Sequence, residues 1–486
     1  MPVRRAAHRS GPSALVTEAT PPQDRDVADT LSALDASFLA AERPEVPLHI
    51  GGVARFEGAP LLDEAGRLRL DDIRAVVEAH LAAIPRFRQR LRPAPGGLGL
   101  PRWSDDETFD ITEHVLARRV PQPGLDDDLH RLAMDLQARA LPRDRPLWEL
   151  TFVDGLADGS VALVDKAHHA LVDGVSGSES FITMLDRDPT APPPVPEPWA
   201  PRPAPATAHR LLDELRRAAR LPVDAARGTV DLVRDPTALA ALLGTAADTL
   251  RSHRPAPRSS LNAPVGAARD HRVVRWSLAD AKRIAHGTDT TVNDVALTAV
   301  AGGLRALLAG RGELAGLDHL TALVPVSTRG ADEMLGLGNR VSAVLATLPV
   351  AADDPQTCLR RIRADMDAHK QGHEVELFAA LLGTADWLPL PLLTVLSDLT
   401  VNRQPIVNLV ITNVRGSPTP LYLRGARMLE FQPYVPLGAN TTVGVAILSY
   451  DGQLDVGVTV DPDACPDASV LVDGIDATFH RLLAGL

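Results

Sequence analysis

The chain reads as an α+β protein, and three observations carry that expectation. Short apolar strand patterns joined by tight turns alternate with amphipathic helix patterns along most of the 486 residues. Asp451-Gly452 between two apolar runs is a two-residue hairpin signal, which a wholly parallel sheet does not need. The length exceeds one ordinary core and favours two or three domains.

In order, residues 1–28 read as a mobile tail. Arg4 and Arg5 have no apolar stretch behind them, so no secretory signal is expected. Asp35 is placed to cap a short helix through Leu39, and Pro44 and Pro47 lead into a strand from Leu48 to Phe56. Ile73, Val76, Val77 and Leu81 lie at helical spacing within 71–84, ended by Pro85. The following Arg86–Arg92 cluster fits a solvated strand or a contact for an anion such as phosphate. A helix over 125–141 ends at Pro142, and Pro146-Leu147-Trp148 opens a strand to Asp154. Gly155–Gly159 supplies turn residues, and 160–167 returns as the second arm of a hairpin.

Composition changes at Asp186. Residues 188–205 are so rich in proline that neither sheet nor helix is expected, and a semi-rigid linker follows from that. Helix is expected over 208–250 and a loop over 252–268. A second domain is expected to open with a strand at 272–278, a helix at 291–309, strands at 320–326 and 341–349, and a helix at 354–370. A strand over 406–412, a hairpin of 442–450 with 453–460, and a helix over 467–483 close the chain. The domain plan is a tail over 1–28, an N-terminal unit over 29–186, a linker with connecting helices over 187–268, and a C-terminal unit over 269–486.

The charge of −12 and 3% aromatic content exclude the basic, stacking surface of a nucleic-acid binder. Cys358 and Cys465 stand far apart in no paired motif, so neither a disulfide framework nor a cysteine zinc site is expected, and a reducing, cytoplasmic compartment fits. The apolar run 377–399 is broken by Asp386, Pro389, Pro391 and Asp398. It reads as a buried segment or as a patch resting on lipid, not as a membrane span.

The chemistry centres on Lys166–Gly177, where His168, His169, Asp173 and Gly174 form HHxxxDG after an apolar strand. A neutral imidazole is the side chain best placed to accept a proton near neutral pH. Asp173 has two available jobs, orienting the imidazole or anchoring the loop to a cation; Gly174 beside it favours the anchor, since a sharp loop needs a tie. Three rival chemistries fail on spacing. HHxxxD lacks the HExxH zinc arrangement, Gly174–Ser178 ends in Ser where a hydrolase elbow needs Gly, and Gly336-Leu337-Gly338 lacks the third glycine of a dinucleotide loop. No metal site is expected. Without a covalent nucleophile, His169 is expected to activate a substrate hydroxyl toward a thioester directly. An oxyanion stabiliser is then needed, for which Asn293, Ser327 and Asn413 are candidates as well as possible caps or turn residues.

HHALVDG, with PLW at 146–148, TVND at 291–294 (which contains Asp294), PVSTR at 325–329, GN at 338–339 and NVRG at 413–416, resembles the bacterial wax ester synthase/acyl-CoA:diacylglycerol acyltransferase family. LSALDASFLAAERPEVPLHIGG at 31–52 and PLYLRGARMLE at 420–430 fit it too. HHxxxDG alone is shared with condensation domains of peptide synthetases; the ordered set is what is specific. The resemblance implies two chloramphenicol acetyltransferase-like mixed α/β domains with a tunnel between them. It implies His169 as general base, with His168 shaping its surroundings and Asp173 and Gly174 supporting the loop. It also implies long-chain acyl-CoA as co-substrate with no further cofactor, a long-chain alcohol or diacylglycerol as acceptor, and peripheral contact with a membrane or lipid droplet. A condensation-type transferase using a carrier-bound thioester and a non-catalytic lipid-binding protein are the alternatives.

Overall fold

Two six-stranded sheets organise the chain in a computed structural model, which describes residues 30–95, 99–172, 174–192, 195, 198–203, 255–327, 341–371 and 390–486. The expectations at 1–28, 208–250 and 338–340, at Asp173, and over 377–389 lie outside those residues.

In the N-terminal half, α1 (Ala33–Ala41) leads to β1 (His49–Phe56), α2 (Leu70–His80), β2 (Gln89–Arg92), β3 (Arg102–Asp105), β4 (Val115–Arg119), α3 (Asp126–Gln137), β5 (Trp148–Asp154), β6 (Val161–His168) and α4 (Gly174–Thr183). The C-terminal half holds β7 (Asp270–Ser277), α5 (Leu278–Gly287), α6 (Val292–Gly310), β8 (Leu320–Ser327), β9 (Val341–Leu348), α7 (Pro355–Gln371) and α8 (Leu390–Ser397). It ends with β10 (Leu409–Arg415), β11 (Tyr422–Leu423), β12 (Ala426–Tyr434), β13 (Val443–Tyr450), β14 (Gln453–Val460) and α9 (Ala468–Ala484).

The first sheet runs β11-β12-β1-β6-β5-β4 and the second β7-β14-β13-β10-β8-β9. Both mix parallel and antiparallel pairs, as β4–β5 and β10–β13 are parallel while β1–β6 and β13–β14 are antiparallel. The expected split into units at 29–186 and 269–486 does not follow the sheets at one point: β12, with β11 on its outer edge, leaves the C-terminal half and pairs with β1. Without that strand β1 would be a long apolar edge with a row of unpaired backbone groups. The N-terminal core accordingly draws Leu421, Met428, Phe431 and Tyr450 from the far end of the chain.

The linker assigned to 187–268 is tied down at both ends. Trp199 donates from Nε1 to the Asp106 carbonyl, and Arg202 forks onto Asp105. At the other end Leu261 is fully buried and its carbonyl accepts from Thr442.

Local signals act as expected at several places. Asp451 and Gly452 both take positive φ, the backbone that a type I′ hairpin turn requires. Thr291 and Asp294 form a reciprocal capping box at the start of α6. By length and composition α6 is apolar enough to cross a membrane, yet twelve of its nineteen residues are buried in the C-terminal core. It crosses α9 so closely that a Cβ on Gly303 would lie 2.4 Å from Ile475 Cγ1.

Two local expectations are corrected. Ser32, not Asp35, caps α1: its side chain accepts the Asp35 N–H, while Asp35 itself is buried. The arginine cluster is not a solvated strand either. It divides into a 3-10 turn (Pro85–Arg88) and β2, with Arg88 buried, donating to the Glu78 carbonyl and lying over the Trp199 ring at 5.1 Å. Aromatic faces and carbonyls around these arginines substitute for water, which binary patterning alone does not reveal.

Candidate active site

β6 ends in the two histidines, and strand alternation separates them. Successive side chains of a strand point to opposite faces, so adjacent histidines cannot share one environment. The His168 N–H donates to the Leu147 carbonyl, and the His169 N–H donates to the Leu48 carbonyl, continuing the β1–β6 ladder past His49–His168. This explains the Pro146-Leu147-Trp148 segment, whose central carbonyl fixes the first histidine. Trp148 anchors the segment by donating from its indole to the Phe87 carbonyl.

His168 is buried on the face that carries α3. Its Nδ1 accepts the Ala170 N–H at 2.9 Å, which puts the proton of the neutral ring on Nε2. That Nε2 faces Glu42 Oε1 at 3.4 Å. Glu42 follows α1; its other oxygen accepts from Arg143 at 2.7 Å, and His49 Nε2 lies 3.6 Å from Oε1. Burial alone would raise the Glu42 carboxyl, but the hydrogen bonds from His168 and then from Arg143 bring it down to about 2. His49 is pushed down to about 3, first by burial and then by the Lys166 ammonium, so it is neutral and donates from Nδ1 to the Gln137 carbonyl. A carboxylate buried beneath the histidine pair therefore fixes the first ring.

His169 is half-buried and stacks on Phe38 of α1, with ring centres 3.9 Å apart and planes 14° apart. The stack clamps the imidazole without consuming a ring nitrogen. Glu42, Phe38 and His49 were missed as functional residues by sequence reasoning. The one signal was a glutamate directly after the apolar Leu39-Ala40-Ala41 run, two residues before Pro44.

The other candidates fall as follows. Gly174 is the first residue of α4 and is helical, so the sharp special geometry expected there is not what this glycine supplies. Asp294 is buried and occupied, accepting from the Thr291 N–H, with Arg363 Nη1 3.4 Å away; it is a cap. Asn293 and Asn413 meet: the Asn413 amide donates to Asn293 Oδ1 at 3.0 Å, joining the start of α6 to β10. That bond uses one of the four amide hydrogens of the pair. Ser327 ends β8. Helix α4 packs against both β1 and β10, so it runs from the histidine end of the first sheet toward the strand that carries Asn413.

Among the described residues, no group of three His, Cys, Asp or Glu side chains is arranged to hold a metal.

Comparison with known proteins agrees with this geometry. The wax ester synthase/diacylglycerol acyltransferase catalytic domain matches residues 31–296, and the C-terminal domain of the same family matches residues 337–483. The chain is 34% identical over 467 residues to a probable diacylglycerol O-acyltransferase, tgs1, of Mycobacterium tuberculosis, covering 93% of this chain and 96% of that one. It is 34% identical over 461 residues to a putative diacylglycerol O-acyltransferase of Mycobacterium bovis, covering 93% and 98%. Among solved structures, a wax ester synthase/diacylglycerol acyltransferase from Marinobacter aquaeolei VT8 superposes with a TM-score of 0.65 at 26% identity, over 94% of this chain and 100% of that one. The first condensation domain of the calcium-dependent antibiotic synthetase superposes at 0.59 with 16% identity, over 94% and 96%, a likeness of fold alone. The two mixed α/β halves are thus of the chloramphenicol acetyltransferase-like type.

Proposed function

The chain belongs to the wax ester synthase/diacylglycerol acyltransferase family, and on that footing we propose that it is an O-acyltransferase moving a long-chain acyl group from acyl-CoA to diacylglycerol or a long-chain alcohol. The observation that carries this reading is His169, half-buried, clamped by Phe38, and turned away from the ion-paired face that holds His168.

In the proposed reaction His169 accepts the proton of the acceptor hydroxyl as its oxygen attacks the thioester carbonyl. The carbon–oxygen bond forms, and the carbonyl π electrons move to oxygen. When the tetrahedral species collapses, the carbon–sulfur bond breaks and the CoA thiolate takes the proton from the imidazolium. Charge on the developing oxyanion calls for preorganised donors, and the Asn293–Asn413 pair, with Ser327 as the other candidate, is assigned that task. His168 supports the ring beside it through Glu42, and Gly174 opens α4.

Peripheral contact with a membrane or lipid droplet in a reducing, cytoplasmic setting belongs to the same reading. Free, buried Cys358 and Cys465 support the compartment. Exposed Val395 and Leu399, at the helix that packs on α1, support the lipid contact.

The test follows thiol release from palmitoyl-CoA with hexadecanol, diacylglycerol or water as acceptor, with the lipid products separated afterwards. Thiol release that depends on an acceptor and yields ester supports the reading; release only with water, or none, refutes it.

A further inference from the structure

The two side chains that meet the histidine pair come from one helical turn. Phe38 and Glu42 stand four residues apart, the spacing of neighbours on a helix surface, and the Glu42 N–H donates to the Phe38 carbonyl at 3.1 Å. Phe38 stacks on His169 and Glu42 faces His168, so any slide or rotation of this turn displaces both contacts together. A nine-residue helix has little stability of its own, and α1 depends on what is packed around its end.

What holds that end comes from the far half of the chain. After α8 the backbone makes a single π-helical turn (Asp398–Asn402), closed by the Arg403 N–H donating to the Asp398 carbonyl at 3.1 Å. Such wide turns are rare and recur at functional sites. Here Asn402 is buried, and its amide donates to the Ala41 carbonyl at 2.9 Å, one of the helix-end carbonyls that no intrahelical N–H reaches. The same amide donates to Asp398 Oδ1 at 3.2 Å, an oxygen that also accepts from Arg43. The turn therefore grips residues 41 and 43, on either side of Glu42.

Packing repeats the link. Phe38 and Val401 lie against the small buried cluster of Ala41, Val46 and Leu48, together with Ala439 from the approach to β13. Leu48 is the residue whose carbonyl accepts the His169 N–H, so the cluster next to His169 is built from both halves of the chain. Beyond Asn402 the backbone is anchored again. Gln404 accepts the Ile406 and Val407 N–H groups, and its carbonyl accepts from Asn440 at 2.7 Å. β10 follows directly and carries Asn413. One continuous stretch, 398–413, thus grips the helix that orients the base and bears an amide assigned to the oxyanion.

We propose that Asn402 is a positioning residue of the acyl-transfer reaction: by holding the Ala41 carbonyl it sets the last turn of α1, and through Phe38 it sets the pose of the His169 ring. This inference rests on the acyltransferase reading. Asn402 acts through α1 and not on a substrate, so its contribution belongs to the chemical step and not to the affinity for acyl-CoA. Arg43, which joins the same turn from the other side of Glu42, serves the same end.

The experiment measures kcat, and KM for palmitoyl-CoA, in wild type, Asn402→Ala, Phe38→Ala and the double variant, with whichever of hexadecanol or diacylglycerol the wild type esterifies. In Asn402→Ala kcat should fall about three- to tenfold while KM stays within about twofold, because a misplaced base slows chemistry without loosening the donor. In the Phe38→Ala background the same substitution should change kcat by less than about twofold, since the stack through which it acts is gone. Melting curves establish that each variant is folded at the assay temperature. Where Asn402→Ala is not, Arg43→Gln, on a side chain 40% exposed, takes its place with the same loss of effect in the Phe38→Ala background. An unchanged kcat in Asn402→Ala, an effect in KM alone, or losses that simply multiply in the double variant overturns the proposal and leaves the acyltransferase reading standing. Absence of ester from every acceptor in wild type removes that reading and this inference with it.

Discussion

Replacing Glu42 by Gln tests the buried charge that organises the histidine pair. The substitution keeps the side-chain shape but removes the carboxylate that faces His168 at 3.4 Å and accepts from Arg143 at 2.7 Å. Lowering the Glu42 carboxyl from 4.5 to about 2 corresponds to about 3 kcal/mol of preference for the charged form in the folded protein. Arg143 has 53% of its side chain exposed and regains water once the carboxylate is gone. The expected destabilisation at neutral pH is therefore smaller, about 1–3 kcal/mol. The sign with pH follows from the depressed value. Stability from Glu42 is fully present above its unfolded value of 4.5 and is lost as pH falls toward about 2. Urea unfolding of wild type and Glu42→Gln, at neutral pH and in steps down to about pH 3, should show a gap that narrows only in the acid range. Thiol release from palmitoyl-CoA should fall about tenfold or more, since His168 loses the partner that orients it beside His169. Identical unfolding midpoints at neutral pH, or a gap that persists unchanged into acid, would refute the argument.

Three further outcomes are expected. His169→Ala should lower turnover by roughly 10²–10⁴-fold with the melting temperature little changed, and wild-type turnover in that variant sinks the general-base assignment. Phe38→Ala removes the stack on His169, worth about 0.5–1.5 kcal/mol, so kcat should fall up to about tenfold; an unchanged kcat means the clamp is irrelevant. Gly303→Ala drives a Cβ to 2.4 Å from Ile475 Cγ1 and 2.5 Å from the Leu471 carbonyl, and should cost about 1–3 kcal/mol in a urea melt. A wild-type midpoint there would mean that α6 and α9 separate without penalty.

Much of this protein was legible in the order of its residues because the deciding interactions are local. The Asp451-Gly452 turn needs two left-handed residues side by side, and the Thr291–Asp294 cap closes within one helical turn, so neighbours in sequence determined both. The inequality of His168 and His169 follows from strand alternation alone, once β6 is placed at 161–168. Only the tertiary structure decided what each ring meets. Glu42 lies more than a hundred residues from His168, and Phe38 comes from the same distant helical segment to stack on His169. The passage of β12 onto the edge of β1 is equally remote, joining Tyr434 to Gly51. The arginines at 86–92 looked solvated because charge predicts exposure on average, whereas here carbonyls and aromatic faces brought from 78, 103 and 199 replace water.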